Sequence, residues 1–196
     1  MNTPNKLTVL RIVLAPLFLL FLMLDFPFHY IIANTIFVFA TITDYFDGKI
    51  ARERSLVTNL GKFLDPLADK MLTTAAFLGF LAVGKLDVWA IMLILMREFM
   101  VTSVRLLAAK DGVVVAASFS GKLKTVVQYV GIIFMLTALE FSSWQGTILS
   151  GASLPDLVFT IPVTLGYVII WASVLLTVIS GVQYVWELRR YLKDEK

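Results

Sequence analysis

The chain has 196 residues, 59% of them hydrophobic, and a mean hydropathy of +0.85, above the roughly 45 to 50% apolar content of a soluble domain. That composition excludes an ordinary water-soluble fold and points to lipid as the solvent, with residues 1–196 forming one membrane domain. The formal charge is only +3 and cysteine is absent, which excludes disulfides and thiolate metal sites and argues against a nucleic-acid partner.

Apolar runs of about the 17 to 25 residues that cross a bilayer core occur at residues 7–24, 31–50, 66–83, 88–109, 123–139 and 160–186. The expected fold is therefore all-α and polytopic, with six transmembrane helices. The first run is followed by DFPFHY where a small-residue cleavage site would stand, so an uncleaved helix is expected. His29, the single histidine, reads as an incidental polar residue at a loop or helix end. Residues 25–30 and 140–159 carry no Lys or Arg, and the turn near Gly84 carries only Lys85. Basic residues gather instead at Lys6 and Arg11, in residues 49–70 and 110–124, and in the RRYLKDEK tail. The positive-inside rule then places both termini in the cytoplasm, which fits an even number of spans. Trp144, Tyr184, Trp186 and Tyr191 read as interfacial anchors.

The stretch TDYFDGKIARERSLVTNLGKFLDPLADK, residues 43–70, interrupts this pattern with Asp44, Asp47, Asp65 and Asp69. On a helix, positions 44, 47, 48 and 51 fall within an arc of about 100°. Asp65 and Asp69, four apart, stack on one face of the next helix, with Pro66 leaving Asp65 either at the N-cap or just before a kink. Four carboxylates in a small volume repel unless cations neutralise them. With no Cys or His nearby, the ligands are hard oxygens, which suit Mg²⁺ or Mn²⁺. Gly48 and Gly61 allow close approach to the backbone, and Arg52 and Lys62 add the positive charge that a phosphate-bearing ligand requires. The plainer alternative is a solvated, turn-rich loop with ordinary surface charges.

The string DYFDGKIAR, eight intervening residues, then GKFLDPLAD resembles the signature of the CDP-alcohol phosphotransferase family, D-x(2)-D-G-x(2)-A-R-x(8)-G-x(3)-D-x(3)-D. Asp44, Asp47, Gly48, Ala51, Arg52, Gly61, Asp65 and Asp69 match every fixed position. The resemblance implies a six-helix membrane enzyme whose Asp44, Asp47 and Asp65 bind divalent metal, two ions with Asp69 contributing, while Asp69 is the general base. It also implies that Gly48, Ala51, Arg52, Thr58, Gly61 and Lys62 cradle a cytidine diphosphate group together with the aspartates. Asn5, Thr8 and Arg11, at three-residue steps, line the nucleotide site on this reading; equally, Asn5 caps the first helix and Arg11 meets lipid headgroups.

A second set of charges bears on the acceptor. Arg97, Glu98 and Arg105 lie in or beside the fourth run, where a charge costs roughly 2.5 to 3.5 kcal/mol on insertion scales. Arg105, Lys122 and Lys124, with Arg97 near them, suit an anionic acceptor. Alternatively, Arg97 and Glu98 join inter-helix ion pairs, and Lys122 and Lys124 snorkel as positive-inside residues. The segments MNTPNKLTVLRI, REFMVTSVRLL and GKLKT resemble those of the bacterial phosphatidylglycerophosphate synthases, with Ser103 where that subfamily has Gly. This implies transfer from CDP-diacylglycerol to glycerol 3-phosphate, in a bacterial plasma membrane with the site on the cytoplasmic side, by an enzyme that contacts membrane lipids and forms a homodimer. The rival readings are the same family with inositol phosphate, serine or a phospholipid as acceptor, and a cation transporter.

Overall fold

The computed structural model describes residues 3–53, 59–110, 119–149, 151 and 154–194. Within these, the side chains of residues 3–4, 45–53, 59–63, 65–66, 69, 106–110 and 187–194 lie outside the description. The described residues form six α-helices and no strand: α1 (Thr3–Met23), α2 (His29–Glu53), α3 (Asn59–Ala82), α4 (Val88–Lys110), α5 (Phe119–Ser143) and α6 (Asp156–Asp194). A short 3₁₀ turn, Trp144–Gly146, extends α5.

Among the described residues, three stretches are long and apolar enough to cross a membrane: Asn5–Met23, Phe119–Gly146 and Asp156–Trp186. They mark the chain as a membrane protein. α2, α3 and α4 each join an apolar half to a charged one, and in α3 the apolar part is only Lys70–Ala82. α3 begins at Asn59, so position 65 lies inside the helix, and the N-cap alternative for Asp65 is excluded. α6, with 39 residues, is about 58 Å long at a rise of 1.5 Å per residue, nearly twice the hydrocarbon core.

α1 packs against both α2 and α3, α5 packs against α6 and α2, and α4 packs on α6. Phe18, Phe37, Phe77, Phe80, Met135 and Ile170 are buried where these helices meet. Leu20, Trp89, Val126 and Leu175 point outward and are exposed, as expected of faces solvated by lipid chains. Lipid is as apolar as leucine, so close packing and not water exclusion must draw such helices together. Glycines provide that fit: a Cβ on Gly166 would come within 3.2 Å of the Met135 backbone, and one on Gly131 within 3.2 Å of Ile169 and Ile170. α3 stops in a Schellman arrangement: Gly84 is left-handed (φ 70°), its N–H donates to the Leu81 carbonyl at 3.0 Å, and Lys85 N–H donates to the Phe80 carbonyl at 2.7 Å.

Gly166→Val should therefore force α5 and α6 apart and lower stability by about 1–3 kcal/mol, read as a lower denaturant midpoint in detergent micelles. An unchanged midpoint would show that the contact is not close-packed.

Candidate functional site

α1 packs against both α2 and α3 and carries three buried polar side chains. Asn5, Thr8 and Arg11 are buried, Arg11 with only 1% of its surface exposed. The Arg11 guanidinium donates to Asp44 Oδ1 across the α1–α2 interface. Burying a guanidinium is tolerable only beside an acid, so Arg11 and Asp44 fix each other. Asn5 lies within α1 and is not its cap, and Arg11 faces protein and not lipid headgroups.

Helical backbone carries positions 44, 47, 48, 51 and 52 on α2 and positions 61, 62, 65 and 69 on α3. Of these, the described side chain is that of Asp44. The side chains of Asp47, Gly48, Ala51, Arg52, Gly61, Lys62, Asp65 and Asp69 lie outside the described residues, as does Thr58 entirely. Among the described residues no group of three acidic or imidazole side chains surrounds a common point.

One residue beyond Asp69, the chain enters a second cluster. Glu98 on α4 accepts from Lys70 of α3 at 2.8 Å, from Arg97 at 3.1 Å and from Lys124 of α5. Lys124 is 3% exposed. Arg97 also donates its Nε to Ser180 Oγ at 3.1 Å, and its guanidinium carbon stands 5.6 Å from the centre of the Tyr184 ring. Arg105 stands 5.4 Å from that same ring centre and donates to the Tyr184 hydroxyl. Two guanidiniums thus share one aromatic ring, an attraction to the negative π-face. Gly181 makes room for this, since a Cβ there would fall 3.1 Å from Arg97 Cγ.

Of the sequence-derived acceptor set, the structure brings Lys124 to Glu98, and Arg97 and Arg105 to Tyr184, while Lys122 is exposed. Tyr184 is 2% exposed, which corrects its reading as an interfacial anchor: its ring packs under two arginines. The signal for it was present in α6, where Ser173, Thr177, Ser180 and Tyr184 recur at helical spacing, and all are buried. Lys70, Ser180 and Gln128 were likewise unforeseen. A pocket between α3, α4 and α5 is lined by Lys70, Thr73, Glu98, Lys124, Thr125 and Gln128 among others. Among the described residues, three basic side chains, Lys70, Arg97 and Lys124, meet at Glu98, and Arg105 lies beyond them at Tyr184.

The family model for CDP-alcohol phosphatidyltransferase matches residues 1–179. A CDP-diacylglycerol–glycerol-3-phosphate 3-phosphatidyltransferase of Bacillus subtilis is 35% identical over 195 residues, covering 93% of each chain. A probable phosphatidylglycerophosphate synthase of Mycobacterium tuberculosis is 41% identical over 198 residues, covering 98% of this chain and 83% of its own. A CDP-diacylglycerol–glycerol-3-phosphate 3-phosphatidyltransferase of Rickettsia bellii is 36% identical over 190 residues, covering 97% of each.

Glu98→Gln should leave Lys70, Arg97 and Lys124 without their common acid and destabilise the fold by about 3 kcal/mol. Lys122→Ala, at an exposed position, should change stability by less than about 0.5 kcal/mol. Denaturant midpoints of both variants in micelles test this, and equal midpoints would contradict the role given to Glu98.

Proposed function

The chain belongs to the CDP-alcohol phosphatidyltransferase family, and we propose that it transfers the phosphatidyl group of CDP-diacylglycerol to glycerol 3-phosphate, giving phosphatidylglycerophosphate and CMP. The observation that carries this reading is the intact spacing of Asp44, Asp47, Gly48, Ala51, Arg52, Gly61, Asp65 and Asp69 on two helices that both pack against α1. The relatives named for this reaction align over nearly the whole chain.

In this reading all six helices span the bilayer of a bacterial plasma membrane, both termini are cytoplasmic, and the charged halves of α2, α3 and α4 lie at the cytoplasmic rim. The diacylglycerol chains then stay in lipid while the nucleotide reaches protein from the cytoplasm. Gly48, Ala51, Arg52, Thr58, Gly61 and Lys62, with Asn5 and Thr8 from α1, form the nucleotide cradle. The 1-hydroxyl of glycerol 3-phosphate attacks the lipid-linked β-phosphorus, the new P–O bond forms as the pyrophosphate P–O bond breaks, and the hydroxyl proton passes to the Asp69 carboxylate. Arg105, Lys122 and Lys124, with Arg97, receive the phosphate of the acceptor. Binding that phosphate requires Lys124 to share or leave Glu98, and Lys70 and Arg97 keep Glu98 paired when it does. Positioning of the two phosphates supplies most of the acceleration expected for this chemistry.

The donor set fits a divalent metal. Asp44, Asp47, Asp65 and Asp69 offer only hard oxygens. Mg²⁺ or Mn²⁺, two ions in this proposal, would neutralise charge on the pyrophosphate and the departing CMP. The enzyme is further proposed to act as a homodimer joined through membrane helices.

Asp69→Asn should bind CDP-diacylglycerol with near-normal affinity yet release CMP at least about a hundredfold more slowly, the lower bound for loss of general-base catalysis. Near-normal turnover would remove Asp69 from that role. Asp65→Ala should abolish metal-dependent donor binding in a titration, and an unaltered metal affinity would contradict its assignment as a ligand.

A further inference from the structure

An arginine meets a ligand at the end of a long chain with several rotatable bonds, so its value to a phosphate depends on how far that chain is ordered beforehand. Arg97 is ordered by α6, the helix on which α4 packs. Its Nε donates to Ser180 Oγ at 3.1 Å. Ser180 is fully buried, and its own hydroxyl proton goes to the Thr177 carbonyl, also at 3.1 Å. With the proton committed there, the oxygen faces Arg97 only as an acceptor.

The next residue of α6 shapes the path of the side chain. A Cβ on Gly181 would stand 3.1 Å from Arg97 Cγ, closer than the roughly 3.5 Å at which carbon atoms rest. Glycine therefore lets the stem of Arg97 lie directly against α6, and any larger residue would turn it away. At the head of the side chain, Nη1 donates to Glu98 at 3.1 Å, and the guanidinium carbon lies 5.6 Å from the centre of the Tyr184 ring.

Nη2 is treated differently. It makes no hydrogen bond among the described residues, and it is not one of the buried atoms without a partner, so it keeps surface that a ligand can reach. Joining α4 to α6 gives no reason for this, because a guanidinium inside a lipid-solvated bundle is most stable with every N–H paired. Protein groups thus hold Nε and Nη1 and leave Nη2 presented, which is the edge an oxyanion would use.

We propose that Ser180 and Gly181 are positioning residues for the acceptor: together they hold Arg97 so that Nη2 meets the phosphate of glycerol 3-phosphate, an inference that rests on the proposed transfer to that acceptor. Without the Ser180 oxygen the guanidinium keeps its charge but turns about its bonds, so acceptor binding weakens while the reacting groups are untouched.

Steady-state CMP release by the purified full chain with Mg²⁺ tests this. Ser180→Ala, which places a good helix former at a buried position, should raise KM for glycerol 3-phosphate about three- to tenfold, with kcat and KM for CDP-diacylglycerol within about twofold of the unmodified chain. Inorganic phosphate, competing with glycerol 3-phosphate, should lose affinity by the same factor, since it carries only the group that Arg97 meets. In an Arg97→Lys background, which has no guanidinium to orient, Ser180→Ala should change that KM by less than about twofold. Gly181→Ala should raise the same KM, and serves as the test if Ser180→Ala does not fold. An unchanged KM for glycerol 3-phosphate, an equal change in both KM values, or an undiminished effect in the Arg97→Lys background would overturn the inference while the proposed reaction stood. No release of CMP dependent on glycerol 3-phosphate by the unmodified chain would overturn the reaction, and the inference with it.

Discussion

Charge placed inside a lipid-solvated bundle must find an opposite charge on another helix, and the carboxyl of Glu98 is where this constraint is met most heavily. It joins α4 to α3 through Lys70 and to α5 through Lys124, while Arg97 beside it reaches α6 through Ser180 and Tyr184. Hydrophobic burial alone cannot order helices in a bilayer. Ion pairs, the arginine–tyrosine stack and glycine contacts therefore determine which helix neighbours which. The Arg11–Asp44 pair does the same for α1 and α2.

These pairs also prepare the chemistry. Phosphoryl transfer asks little covalent work of a protein and much positioning. Lys70, Arg97 and Lys124 are held together by Glu98, and in the proposed reaction their positive charge meets the incoming phosphate. The cluster begins one residue after Asp69, so the proposed base and the proposed acceptor site share one stretch of α3. Asp44 is in turn held by a buried arginine, which restricts its carboxyl to one position on the α2 face.

Much of this was legible in the sequence, for definite reasons. The aspartate and glycine spacing is a helical pattern with few other uses, and the helices follow from apolar runs that only lipid can solvate. Helix ends were less legible: α3 starts at Asn59, ahead of Pro66, because a charged, partly polar turn can continue a helix without adding hydropathy. For the same reason three of the six helices fall short of a membrane span by composition alone. Partners were least legible. Tyr184 looked like an anchor because aromatic residues near a helix end usually are, and nothing local reveals that two arginines of the neighbouring α4 reach it.

The central proposal is that the basic side chains around Glu98 and Tyr184 receive an anionic acceptor. Its most direct test is CMP release from CDP-diacylglycerol by the purified chain with Mg²⁺, comparing glycerol 3-phosphate with glycerol, serine and inositol phosphate at equal concentration. Rapid release with glycerol 3-phosphate and a phosphatidylglycerophosphate product, with background release from glycerol, is the predicted result. Equal turnover with the uncharged alcohol would contradict it.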